Sequence, residues 1–158
     1  MYEFNGLPVH PLLVHFVVVL LPLAAICALL GVLWPTARRK LGVITPILAL
    51  VALIFVPLTT SAGEALEKKV PPGPLVDKHT ALGDQALIWA APLFVFAALW
   101  WALHTGWVDS KLAGMDRPVR IGVNVVVALV LIVFAVGSIV MVIRIGESGA
   151  RAVWDSTR

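Results

Sequence analysis

The residues of this chain best suited to chemistry are His10, His15, Glu64, Glu67, His79, Asp84 and Glu147. Imidazoles and carboxylates ligate zinc, copper and iron, and paired imidazoles can hold a haem from its two axial sides. Their spacing forms no local motif. His10 and His15 are five apart, which does not place them on one face of a helix with 3.6 residues per turn. There is no H-x-x-x-H, H-E-x-x-H or C-x-x-C-H. Cys27 is the sole cysteine, which excludes an internal disulfide and a cysteine-based zinc site. Tertiary structure must therefore bring these groups together.

The elements that do so are four apolar runs, about 12–33, 41–62, 81–103 and 119–143. Each approaches or exceeds the ~20 residues that carry an α-helix across a bilayer. The runs are unbroken rather than alternating, which selects helices over barrel strands. With 60% hydrophobic and 13% charged residues, the expected fold is all-α, an integral membrane four-helix bundle. It forms a single transmembrane domain over residues 1–158, with helices at about 11–34, 41–67, 78–104 and 119–146. Four crossings put both termini and the middle loop on one side. Seven of the nine acids and three of the four histidines then share that face.

Local signals refine the picture. Pro11 suits the first turn of the first helix, with His10 just outside it, because a residue before proline avoids helical dihedrals. His15 lies about a turn deeper. Pro46 and Pro57 are expected to bend the second helix, and 70–74 reads as an exposed loop. Asp77 is the expected cap of the third helix, with His79 in its first turn. Trp100, Trp101 and Trp107 mark an aromatic belt at the far end. Asn124 is expected to bond between helices, and Trp89 to pack. The fourth helix is expected to stop near Gly146, with the Gly-rich segment after it folding over the helix ends.

The net charge of +3 does not point to nucleic acid in so apolar a chain, because Lys and Arg beside spans set topology. Each membrane face holds six of them. The tight Arg38–Arg39–Lys40 cluster beside the first helix breaks the tie and places both termini outside the cytoplasm. Nothing at the N-terminus reads as cleavable, so the first helix stays as an anchor.

Burial is costly for ionisable groups in a membrane and turns them inward, toward partners. The expected site is a polar pocket at the outer end shared by His15, His79 and Glu64, with His10 and Glu147 on its border. His10, His15 and His79 would ligate a haem b or a divalent metal ion. Glu64 and Glu147 would complete a metal set, orient the imidazoles or accept protons. Each residue also has an ordinary reading, as an interfacial histidine or a solvated carboxylate at a helix end. Two functions follow: a redox or metal-handling membrane protein, or a non-catalytic accessory subunit of a larger membrane complex. No hydrolase triad, nucleotide loop, internal repeat or pair of interrupted helices supports a hydrolase, kinase or transporter.

Four stretches resemble a known family in the same order. They are Gly6-Leu7-Pro8-x-His10-Pro11-Leu12-Leu13-Val14-His15, Ser61-x-Gly63-Glu64-Ala65-Leu66-Glu67, His79-x-x-Leu82-Gly83 and Gly146-x-Ser148-Gly149-Ala150-x-x-Val153-Trp154. Together they resemble the bacterial four-helix membrane family catalogued as domain of unknown function 2231, in its actinobacterial form. The resemblance implies a multi-pass protein of the bacterial plasma membrane and no settled activity. Its motif residues fall on the face that parity selects. In the family pattern the closing motif has His where this chain has Glu147. Glutamate suits a hard metal but is a poor axial ligand for haem, so haem would fall to His15 with His79 or His10.

Overall fold

A computed structural model describes residues 3–4 and 7–154. Gly6 of the opening motif and Asp155, one of the seven acids, lie outside the described residues. A two-residue antiparallel pair, β1 (Glu3–Phe4) with β2 (Leu7–Pro8), leads into α1 (Val9–Leu33). A short basic helix, α2 (Pro35–Leu41), and a turn through Gly42 at φ +45° lead to α3 (Ile44–Glu67). Then come α4 (Pro74–Gly83), α5 (Ala86–Leu103), α6 (Gly106–Lys111) and α7 (Arg117–Trp154). Four stretches are long and apolar enough to cross a membrane: Val9–Leu33, Ile44–Glu67, Pro74–Leu103 and Arg117–Trp154. The expected all-α membrane four-helix bundle is the fold found.

The spans form a ring. α1 packs on α3 and α7, and α5 packs on the same two, while α1 and α5 barely meet across the diagonal. Leu21, Val56, Leu93 and Leu131 fill the centre, among alanines such as Ala24, Ala52, Ala90 and Ala135. The branched side chains face outward instead: Val19, Val126, Leu129 and Ile143 are more than half exposed. In lipid, apolar side chains gain little by leaving the bilayer for one another, so small residues that let backbones approach dominate the contacts. Among the described glycines, the least room for a side chain is at Gly137 of α7. A Cβ placed there would stand 1.9 Å from Cζ3 of Trp89.

Several local expectations are corrected. α1 starts at Val9, so His10 is helical rather than outside the helix. Pro11 is then the third helical residue, still among the four whose N–H lacks a helical acceptor. Pro46 occupies the same position in α3, so only Pro57 interrupts that helix's interior hydrogen bonds. The third span begins at Pro74 after Gly73, not at an Asp77 cap, and Asp77 sits in its first turn. The span tightens at Asp84–Gln85, where Gln85 N–H donates to Leu82 O. α7 continues to Trp154, so Ser148, Gly149 and Ala150 extend a helix and do not fold over its end. That extension gives α4 a surface to pack on.

Candidate functional site: paired histidines at one end of the bundle

Two imidazoles, from α1 and α4, meet at the end of the bundle that carries the N-terminus. The His10 and His79 ring centroids are 6.4 Å apart with planes at 80°. His10 Nδ1 lies 2.9 Å from Thr59 O on α3. A carbonyl can only accept, so Nδ1 carries the proton and the Nε2 of the neutral ring keeps its lone pair. His79 Nδ1 lies 3.0 Å from Ser148 Oγ on α7. The Ser148 hydroxyl already donates to Ile145 O at 2.9 Å, so it accepts from His79 Nδ1–H. The same tautomer results. Metal-ligating histidines are typically fixed through their second nitrogen in this way.

Each ring rests on a glycine. A Cβ at Gly63 would come within 3.0 Å of His10 Cε1, and one at Gly149 within 2.9 Å of His79 Cε1. Both glycines stand on helices facing the histidines, α3 and α7, and their missing side chains supply the space the rings fill. A stack of Phe16 on Phe55, 4.6 Å apart and nearly parallel, ties α1 to α3. Both histidines are half-buried.

The expected pocket is therefore rearranged. His10, expected at the border, is central, and His15, expected at the centre, is exposed and bonds Pro11 O of its own helix at 2.5 Å. Five residues turn a helix by ~140°, so a helical His10 that faces inward leaves His15 facing elsewhere. Glu64 and Asp84 are exposed. Glu147 is exposed too and pairs with Arg151 one turn on, at 2.5 Å. Among the described residues, no group of three or more His, Cys, Asp or Glu side chains is placed to hold a metal ion. Sequence reasoning missed the parts played by Ser148, Gly63 and Gly149. The Ser-Gly pairing in two motifs at the same membrane face was the available signal.

The fold and this paired-imidazole end define a four-helix membrane protein with a polar cluster at one mouth. The chain belongs to the family described as Predicted membrane protein (DUF2231), which it matches over residues 6–157. No curated protein and no solved structure matches the chain.

Proposed function

We propose that His10 and His79 bind one divalent metal ion through their Nε2 atoms, in a redox or metal-handling role at the outer face of the membrane. The observation that carries this reading is the hydrogen bonding of both Nδ1 atoms to oxygen acceptors, with the rings 6.4 Å apart. Two metal–nitrogen bonds of ~2.0–2.1 Å and the half-width of each ring account for most of that separation. Imidazole suits zinc, copper, iron and nickel. Two protein ligands leave the remaining positions to water or an exchanging partner, which fits transfer or electron exchange better than a closed structural site.

Metal analysis and an absorption spectrum of the detergent-purified protein test the reading. One equivalent of Zn²⁺ or Cu²⁺ retained after loading and dialysis supports it. A Soret band would assign the same pair to haem b. Neither metal nor band would overturn the site and leave the accessory-subunit reading in front.

The orientation proposed for this site, with both termini outside, rests on the Arg38–Lys40 cluster. In a Cys27→Ala background, Gly73→Cys should react with an impermeant thiol reagent on intact cells and Gly114→Cys should not. The opposite pattern would move the histidine pair to the cytoplasmic side.

A further inference from the structure

The end of the bundle opposite the histidines is cut by a cleft of about 280 Å³. All four spans line it, with Ala28 of α1, Thr45 of α3, Ala97 of α5 and Leu131 of α7 among its walls. Cys27 on α1 stands six residues before Leu33, where that helix ends, and Ala97 six before Leu103, the end of α5. The cleft therefore reaches ~9 Å inward at 1.5 Å per residue. Its size lies near the lower bound of the ~300–1,000 Å³ found for small-molecule sites, which suits one acyl chain rather than two. The depth is apolar and the mouth is not.

Gly42, at φ +45°, turns the chain between α2 and α3, and Arg38 before it and Thr45 after it both line the cleft. An arginine beside a span often does no more than set topology, and then it reaches into water. Arg39 fits that description, being exposed and turned to Thr36 Oγ1 at 3.4 Å. Arg38 does not. It is half-buried, and its guanidinium stands 5.6 Å over the Trp100 ring. That ring is fixed in turn, because its Nε1–H donates to Gly31 O at 3.2 Å. Among the described residues, no carboxylate pairs with Arg38. A guanidinium stacked by its face keeps its edge N–H donors for a carboxylate. Thr45 gives an independent observation. It is only 9% exposed, and its hydroxyl has no partner among the described residues while keeping some surface toward the cleft. A buried donor left unmade is costly, so both groups call for an acceptor at the same mouth. One uncompensated cation matches a monoanion.

We propose that this cleft binds a long-chain fatty acid, its carboxylate held by the Arg38 fork and the Thr45 hydroxyl and its chain lying among Ala28, Ala97 and Leu131. The site is at the other end of the bundle from the histidine pair and does not depend on what that pair binds.

Native mass spectrometry of the full-length protein in detergent, with amphiphiles added at equal concentration, tests it. Palmitate should be retained about tenfold over hexadecanol, which has the same chain and no charge, as expected for hydrogen bonds to an ion. Equal retention of the two would overturn the site. Acetate in large excess should leave palmitate bound, and displacement by it would overturn the place given to the chain. Displacement of palmitate by an equal concentration of phosphatidylglycerol would overturn the single-chain ligand. Arg38→Gln should lose the preference for palmitate over hexadecanol, and Thr45→Val should reduce it about threefold, as for one hydrogen bond. Lys40→Gln should keep it, because Lys40 is exposed at the same end and outside the cleft. An undiminished preference in Arg38→Gln, or an equal loss in Lys40→Gln, would overturn the site. An undiminished preference in Thr45→Val would overturn the part given to that hydroxyl. Should Arg38→Gln fail to fold, the palmitate and hexadecanol arms on the unsubstituted protein still decide.

Discussion

Gly137→Val is expected to destabilise the folded bundle by about 3 kcal/mol, the upper end of ordinary over-packing penalties. A Cβ at this position would lie 1.9 Å from Cζ3 and 2.2 Å from Cε3 of Trp89, far inside van der Waals contact. The indole cannot simply slide away. Phe134 stands 5.8 Å from it edge-on, and Phe96 stacks behind Phe134 at 6.1 Å. Substitution at Gly137 therefore pushes α5 and α7 apart or forces Trp89 toward lipid. The cause is one contact, so Trp89→Leu should suppress most of the loss. Equilibrium unfolding in mixed micelles of the two single variants and the double variant gives the coupling between the sites. Strictly additive effects would mean that Gly137 matters through helix propensity and not through Trp89.

That contact also shows where sequence reading stopped. Spans are legible because length and hydropathy are properties of single segments, and four helices of the chain are long and apolar enough to cross a membrane. Trp89 reads as a packing residue, but nothing in the sequence pairs it with a glycine 48 positions later. The histidines show the same limit. Parity puts His10, His15 and His79 at one membrane face, but which of them turns inward depends on how α1 packs and on whether His10 is part of the helix. The rule that a residue before proline avoids helical dihedrals sets the start of α1 two residues late. His10 is instead helical and held by Thr59 O on α3. In a continuous helix positions five apart point about 140° from one another, so a helical His10 turned toward α3 leaves His15 facing elsewhere. The Ser148–Gly149 segment misled for a related reason. Glycine near a helix end commonly marks a stop, whereas Gly149 lies within α7 and clears room for the His79 ring.

The exchanged histidines give the second large effect. His10→Ala and His79→Ala should each weaken binding of Zn²⁺ or Cu²⁺ by more than about 100-fold, beyond the range seen for residues that only orient a ligand. His15→Ala should leave it unchanged, since that ring is exposed and bonded within its own turn. Ser148→Ala should fall between these, at about 10–100-fold. It removes the oxygen that takes the proton of His79 Nδ1, so the ring loses both its fixed tautomer and its orientation. Ser148 is buried at 6% exposure and touches His79 through that oxygen, so the change is local and the protein should remain monodisperse. Gly149→Ala adds a test of placement without touching a polar atom. Its Cβ would meet His79 Cε1 at 2.9 Å and so must push the ring; a loss of affinity is expected although every candidate ligand is still present. Calorimetric titration of the purified variants with each metal reads all five. Loss of affinity in His15→Ala as deep as in His10→Ala would show that the metal sits elsewhere, and a Ser148→Ala variant with full affinity would show that the Nδ1 bond does not set the nitrogen that binds.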